Sequence, residues 1–224
     1  MRAWLRDNSL SVFFFAIFVA AVAGQSLAGQ RAYNAEQSSH GEPGVTYLQY
    51  LTSPDFGEAL MGNWQSEYLQ FTLFILATIW LVQRGSNESK PPQDIGTESD
   101  QRQLVGGHAQ ADSPLWAKVG GWRTHLYSNS LLIVMIVIFF ASWLGQSVNG
   151  WRAYNDELAQ HGESTIGWTS YLARAEFWEM TLQNWQSEFL AVGTMAVYTI
   201  YLRQRGSPES KPVGAPHDQT GTSG

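Results

Sequence analysis

The sequence predicts an all-α membrane protein with four transmembrane helices, formed by two tandem hairpin repeats that are related by a pseudo-twofold axis along the membrane normal. Three observations predict this fold class. Four long stretches carry one charge or none, one segment recurs at a constant offset, and the basic residues lie in alternate connections. The 224-residue chain has a mean hydropathy of −0.19, which is typical of soluble proteins. Its apolar residues must therefore be segregated into segments.

The four stretches have the length of membrane spans. Residues 9–29 and 126–151 contain no charged residue, and residues 59–83 and 180–202 contain one each, Glu67 and Glu188. A helix rises about 1.5 Å per residue, so even the shortest stretch covers about 31 Å, the thickness of a bilayer core. The first stretch also has the form of a signal peptide. Its internal counterpart at 126–151 cannot be one, so we predict a retained helix.

The chain repeats itself with an offset of 121 residues. Residues 8–91 match residues 129–212 without a gap, with 39 identities in 84 positions. Polar segments such as 63–67 and 184–188 are identical, whereas the apolar stretches have diverged, which indicates specific partners for the polar positions. The predicted organisation is a first transmembrane hairpin over residues 1–84, a disordered cytoplasmic linker over 85–121, a second hairpin over 122–205 and a cytoplasmic tail over 206–224.

The basic residues predict the orientation in the membrane. Ten of the 13 lysines and arginines lie in the N-terminus, the central connection and the tail, and three lie in the two remaining loops. This bias places both termini in the cytoplasm. The two outer loops carry nine acids against three arginines, so their net charge is −6. Such a surface concentrates cations at the outer side of the membrane.

Composition excludes several classes of function. The chain has no cysteine, which excludes disulfides, iron–sulfur clusters, cysteine zinc sites, covalent c-type haem and thiol catalysis. The net charge of −6 gives no reason to expect nucleic acid as a partner, and no phosphate-binding glycine motif is present. No nucleophile or acid–base constellation is specific enough to name a reaction.

Two acids inside the predicted spans are the main functional candidates. An ionisable residue in a span costs several kcal/mol unless it is paired or protonated. An antiparallel hairpin sets Glu67 level with Gln25, and Asn63 shares the Glu67 face because it lies four residues away. With the repeat, the predicted polar layer contains Gln25, Asn63, Glu67, Gln146, Asn184 and Glu188. It could handle protons or small cations, or it could hold the helices together by hydrogen bonds.

A second group of residues predicts a metal or haem site. If the first helix continues to His40, Glu36 and His40 share a face, and the repeat doubles them. The candidate ligands are Glu36, His40, Glu58, Glu157, His161 and Glu179. Four carboxylates and two imidazoles are the ligand count of ferritin-like di-iron bundles, although those use Glu-x-x-His rather than Glu-x-x-x-His. The two histidines could instead hold one haem iron, or each could be an interfacial residue beside a loop.

Three segments resemble an uncharacterised family of bacterial integral membrane proteins of unknown function. They are Arg-Ala-Tyr-Asn at 31–34 and 152–155, Asn-Trp-Gln-Ser-Glu-Phe-Leu at 184–190, and Tyr-Leu-Arg-Gln-Arg-Gly-Ser-Pro-Glu-Ser-Lys-Pro-Val at 201–213. The resemblance covers both halves of the chain. It implies a location in the bacterial inner membrane and supplies neither an activity nor site residues.

Three hypotheses about function follow. The protein moves or senses protons or small cations through the polar layer, or it is a redox protein that binds a divalent metal, a di-iron centre or haem. Alternatively it is a non-catalytic subunit of a larger membrane complex, with the repeated Gln-Arg-Gly-Ser-x-Glu-Ser-Lys-Pro segments as docking sites. Four helices make a thin wall for a pore, so transport also favours a homo-oligomer in the lipid bilayer.

Overall fold

The computed structural model describes residues 2–221, and all regular secondary structure in that part of the chain is helical. The helices are α1 (Arg2–Asp7), α2 (Ser9–Ser39), α3 (Tyr47–Leu51), α4 (Pro54–Trp80), α5 (Leu115–Lys118), α6 (Gly121–Ser128), α7 (Ser130–Gln160), α8 (Trp168–Tyr171) and α9 (Ala175–Tyr201). Short 3₁₀ turns occur at Pro92–Asp94 and Gly106–His108. The all-helical part of the predicted fold is thus confirmed.

Two helices, α2 and α7, are long and apolar enough to cross a membrane. In their most apolar 18-residue windows, 6% of the residues of α2 and 22% of those of α7 are buried within the protein. A core helix of a soluble protein would be mostly covered by other elements. The exposed apolar surface of both helices therefore indicates association with a membrane.

The helix bounds follow the 121-residue offset. Helix α7 begins and ends 121 residues after α2, and both have 31 residues. Helix α9 begins and ends 121 residues after α4, and both have 27 residues. The short helices α3 and α8 also begin 121 residues apart. Equivalent sequence therefore gives equivalent local structure in both copies.

The chain forms two compact units, described separately below. Among the described residues, the first unit comprises residues 2–60 and 145–171, and the second comprises residues 61–144 and 172–221. The first unit therefore contains α2, α3, the start of α4, the second half of α7 and α8. The second unit contains the rest of α4, α5, α6, the first half of α7 and α9.

In the first unit, an asparagine near the end of each long helix holds the loop that follows. The Asn34 side chain accepts a hydrogen bond from the Val45 N–H at 2.7 Å and donates one to the Val45 carbonyl at 3.0 Å. Asn155 makes the same two bonds with Ile166, at 2.9 and 3.1 Å. Each side-chain amide binds both the N–H and the carbonyl of one loop residue, as a backbone peptide group does in regular secondary structure. This is the structural role of the repeated Arg-Ala-Tyr-Asn segment.

In the second unit, Trp143 of α7 lies at the centre of an aromatic cluster. Its ring stacks on Phe139 at 5.7 Å and on Phe177 at 6.3 Å, measured between centroids, and it contacts Trp185 at 6.5 Å. Phe177 has 2% of its surface exposed. Large rings of this kind contribute most of the buried apolar area of a small core, so the cluster holds α7 and α9 together.

Candidate functional site

The second unit contains four of the six residues of the predicted polar layer, namely Asn63, Glu67, Asn184 and Glu188. The two glutamates lie close enough for their charges to interact, and the Glu188 carboxyl is within hydrogen-bonding reach of the Ser66 hydroxyl. Glu188 is partly buried in this unit and Glu67 is exposed. Acids that are equivalent under the repeat, one on α4 and one on α9, thus interact through their charges.

Gln65 is a buried polar residue that the sequence analysis did not select. It has no exposed surface, and its Oε1 accepts a hydrogen bond of 2.8 Å from the Trp185 indole. Its amide nitrogen Nε2 has no hydrogen-bond partner among the residues that the structure describes. Its counterpart Gln186 is exposed. Both glutamines belong to the repeated Asn-Trp-Gln-Ser-Glu segment, so the sequence offered a signal but no means to tell the two apart.

The other two residues of the predicted layer, Gln25 and Gln146, belong to the first unit. Gln146 is fully buried and Gln25 is partly buried. Each precedes a serine that bonds an aromatic residue at the start of a short helix. The Ser26 and Tyr47 hydroxyls are 2.8 Å apart, and the equivalent serine after Gln146 accepts a bond of 3.3 Å from the Trp168 indole. That all six residues form one layer stays a prediction.

The histidine pair of the predicted metal site comes together in the first unit. The ring centroids of His40 and His161 are 6.2 Å apart, with an angle of 76° between the ring planes. Both imidazoles are exposed, and Nδ1 of His161 lies 2.9 Å from the Glu157 carbonyl oxygen. The pair stands at equivalent ends of α2 and α7.

The carboxylates predicted as metal ligands do not complete this pair. Within residues 2–221, no group of three or more histidine, aspartate or glutamate side chains could hold a metal ion. Glu36 and Glu157 are exposed in the first unit, Glu179 is exposed in the second unit, and Glu58 is engaged elsewhere. Of the ligands predicted for a metal ion or a haem, the structure thus brings together two imidazoles and no carboxylate.

Glu58 occupies a tight position near the start of α4 in the first unit. Its Oε1 accepts a hydrogen bond of 3.1 Å from the Tyr171 hydroxyl. A Cβ atom at Gly150 of α7 would overlap both the Glu58 carboxyl and the Tyr171 hydroxyl. A Cβ atom at the preceding residue of α4, Gly57, would lie 2.7 Å from the Asn149 side chain. Two glycines therefore let α4 and α7 approach closely around this carboxyl.

The surroundings of Glu58 disfavour its charge. Burial raises the pKa of Glu58 to about 6, the hydrogen bond from Tyr171 acts in the opposite direction, and the negative charge of Asp55 raises it further. Burial also raises the pKa of Asp55. A carboxyl group whose pKa lies near neutrality can gain or lose a proton at physiological pH.

The repeated segment after α4 and α9 has the same fold in both copies. Ser89 Oγ accepts a hydrogen bond of 2.9 Å from the Gln83 N–H and donates one of 3.0 Å to the Lys90 carbonyl. Ser210 makes the equivalent two bonds at the same two distances. The turn needs a glycine, because Gly85 has a φ of +86° and its counterpart has a φ of +81°.

The two copies of this segment contact each other within the second unit. The Asn87 side chain donates to the Pro208 carbonyl at 3.1 Å, and the Ser86 hydroxyl lies 3.0 Å from that of Thr199. Burial and the adjacent Glu209 carboxyl raise the pKa of Glu88. These contacts account for the repeated segment as internal packing, and its predicted role in docking a partner stays a prediction.

The lysine of each copy binds inward. Lys211 has 1% of its surface exposed, and its Nζ donates to three backbone carbonyl oxygens of the C-terminal segment, at 2.9 to 3.1 Å. Lys90 donates to the Gly96 carbonyl at 3.0 Å and forms an ion pair of 2.8 Å with Glu98. Each lysine thereby fixes the chain that follows the repeated segment.

A family model described as a domain of unknown function (DUF6766) matches residues 1–222, so the chain belongs to this family. The resemblance of the sequence motifs to an uncharacterised family is therefore confirmed. No curated protein matches the chain, and no solved structure matches it.

Proposed function

Since the family carries no assigned activity, we propose from the chain's own residues that this protein moves or senses protons or small cations across a membrane. In this proposal the apolar parts of α2, α4, α7 and α9 are four spans, related in pairs by a pseudo-twofold axis along the membrane normal, and Asp55 and Glu58 precede the span of α4. Both termini lie in the cytoplasm, and the membrane is the bacterial inner membrane. A homo-oligomer supplies the wall that four helices cannot complete around a pore.

The observation that carries the proposal is the proximity of Glu67 and Glu188. Both acids lie within predicted spans, where water is scarce and a lone carboxylate is costly. Two carboxylates that share a site repel each other when both are ionised. A proton or a cation between them removes this repulsion, so such a pair favours the uptake of positive charge.

The hydrogen bonds of Ser66 also support a role for a proton. The Ser66 hydroxyl donates to the Asn63 carbonyl at 2.9 Å, and it is also within reach of Glu188. A hydroxyl has a single proton to donate but two lone pairs that accept. Ser66 can therefore bind both states of Glu188, because it either donates to the carboxylate or keeps its bond to Asn63 and accepts from the protonated carboxyl.

Proton flux into vesicles tests the proposal. The full chain is reconstituted in liposomes that contain a trapped pH dye, and a potential is imposed to drive protons inward. The double variant Glu67→Gln with Glu188→Gln keeps the size of both side chains and removes their charge, so we expect flux to fall to the level of empty vesicles. The control is Glu36→Gln with Glu157→Gln, an exposed pair that should retain flux. Unchanged flux in the first double variant would refute the proposal.

A second function is favoured by the 6.2 Å between the His40 and His161 rings. Metal–imidazole bonds are about 2.0–2.1 Å long, so two imidazoles on opposite sides of one metal ion have centroids roughly 6 Å apart. Metal analysis and the visible spectrum of the purified chain test this function. We expect bound metal or haem that is lost in the double variant His40→Ala with His161→Ala. Purified chain free of both would exclude this function.

A further inference from the structure

Glu58 is set apart by what its neighbours in the first unit can offer. The Tyr171 hydroxyl donates one hydrogen bond to its carboxyl, and α7 presents Asn149 and Gly150, which carry no charge. Asp55, one turn earlier on the same helix, is negative. Among the described groups that shift the pKa of this carboxyl, none is a cation. A proton is therefore the charge that this position can accept.

The glycine at position 150 leaves the space that the Glu58 carboxyl occupies. Tyr171 and Gly150 recur in the first copy as Tyr50 and Gly29, where a Cβ atom on the glycine would overlap the tyrosine hydroxyl. Each tyrosine hydroxyl thus lies against the helix backbone at a glycine. At Gly150 the Glu58 carboxyl joins the tyrosine in the same narrow space.

The second copy lacks the small residue that precedes the acid in the first copy. Glu179 is the equivalent acid and is exposed. The residue before it is Trp178, where the first copy has Gly57. A Cβ atom at Gly57 would lie 2.7 Å from the Asn149 side chain, so an indole at that position would have to displace Asn149. The difference predicts one such acid per chain rather than two.

We propose that Glu58 is a proton-binding site that takes up and releases one proton per chain while it remains between α7 and α8. Tyr171 is its positioning residue, and Gly150 provides the space. That Glu58 loads protons for movement through the membrane rests on the proposed function. Proton binding by Glu58 itself does not.

Infrared difference spectroscopy of the full chain in lipid nanodiscs measures this site directly. The C=O band of a protonated carboxyl is followed between pH 4 and pH 8. We expect a component with a midpoint near pH 6, in keeping with the pKa of about 6 that burial gives Glu58. This component should be absent from Glu58→Gln and present in the matched control Glu179→Gln. Its persistence in Glu58→Gln would overturn the inference.

A second variant keeps the inference testable if Glu58→Gln does not fold. The Tyr171 hydroxyl stabilises the carboxylate, so Tyr171→Phe should move the midpoint to higher pH. An unmoved midpoint would contradict the assigned site.

Flux separates this inference from the proposed function. If Glu67→Gln with Glu188→Gln keeps full flux while the component near pH 6 persists, the proposed function is wrong and the proton site stands. If Glu58→Gln keeps full flux, the role of Glu58 in loading is overturned.

Discussion

In the first copy of the repeat Glu58 is partly buried beside Tyr171, whereas in the second copy the equivalent Glu179 is exposed. The acids themselves are identical, and the residues before them are not. Gly57 allows α4 to approach Asn149 of α7, and Trp178 stands at the equivalent place in the second copy. The environment of an acid is thus set by the size of its neighbour in the sequence.

The same contrast recurs inside the predicted spans. Gln65 and Ser66 are buried, and their counterparts Gln186 and Ser187 are exposed. In contrast, the asparagine bonds to the loops and the serine bonds after α4 and α9 are the same in both copies. Hydrogen bonds between residues that lie about a dozen positions apart or fewer are therefore the same in both copies. Burial, which depends on distant elements, is reproduced at some positions, such as Tyr50 and Tyr171, and differs at others, such as Gln65 and Gln186.

The largest effect is expected from filling the space beside Glu58. Gly150→Ala should lower the free energy of unfolding by up to about 3 kcal/mol, because the new methyl group overlaps the Glu58 carboxyl and the Tyr171 hydroxyl and forces them to shift. Gly24→Ala is the control, since no atom lies within 4 Å of its Cβ position, and it should gain about 0.5–1 kcal/mol of helix stability. Denaturation in detergent micelles measures both. Equal stability of the two variants would contradict the close approach at Gly150.

The asparagine bonds should matter equally in both copies. Asn34→Ala and Asn155→Ala each leave a loop N–H without its partner, at a cost of about 2 kcal/mol. The loop carbonyls keep a second donor, Gln30 in the first copy and Trp151 in the second. Hydrogen exchange at the Val45 and Ile166 amides measures the loss locally, and each amide should exchange faster only in its own variant. A large difference between the copies would show that distant packing, rather than the local bonds, holds these loops.

The pH dependence of stability should distinguish Glu58 from Glu179. The pKa of Glu58 is raised in the folded protein from 4.5 to about 6, so the folded state holds more protons than the unfolded state between these values. Stability therefore falls as pH rises through this window, by up to about 2 kcal/mol. Glu58→Gln should diminish this fall and leave the contribution of Asp55, whose pKa is also raised, whereas Glu179→Gln should keep the full fall, as measured by denaturation at pH 4, 5, 6 and 7. An undiminished fall in Glu58→Gln would assign the proton to another group.

The smallest effect is expected at the repeated segments after α4 and α9. Ser89→Ala and Ser210→Ala each remove an acceptor for a backbone N–H and should cost about 1 kcal/mol. The two losses should agree because the bond distances agree. Denaturation of both single variants measures these losses. A loss confined to one copy would show that the segment after the serine, which differs between the two copies, also contributes to stability.

Local chemistry made much of the helical structure predictable. The uncharged stretches marked the apolar parts of α2 and α7, and the hypothesis of a metal site supposed that the first helix continues to His40. It ends at Ser39. Hydropathy alone marks the part that lipid can cover and not the polar turns that continue the helix, which is why the stretch at 9–29 is shorter than α2.

The candidate site was less predictable because it depends on burial. The repeat identified Glu67 and Glu188, yet it could not select Gln65, whose partner is the distant Trp185. Glu58 was predicted as a metal ligand, and its bond to Tyr171 joins residues 113 positions apart. A one-residue difference, Gly57 against Trp178, was the sequence signal that separated the two copies.

Proton flux through the two single variants Glu67→Gln and Glu188→Gln tests the central claim most directly. In the proposed function both acids belong to one site, so removing either charge should abolish most of the potential-driven flux into vesicles, and the double variant should lose little more. Full flux in both single variants, with the chain folded and inserted, would contradict the claim that this pair carries the proton.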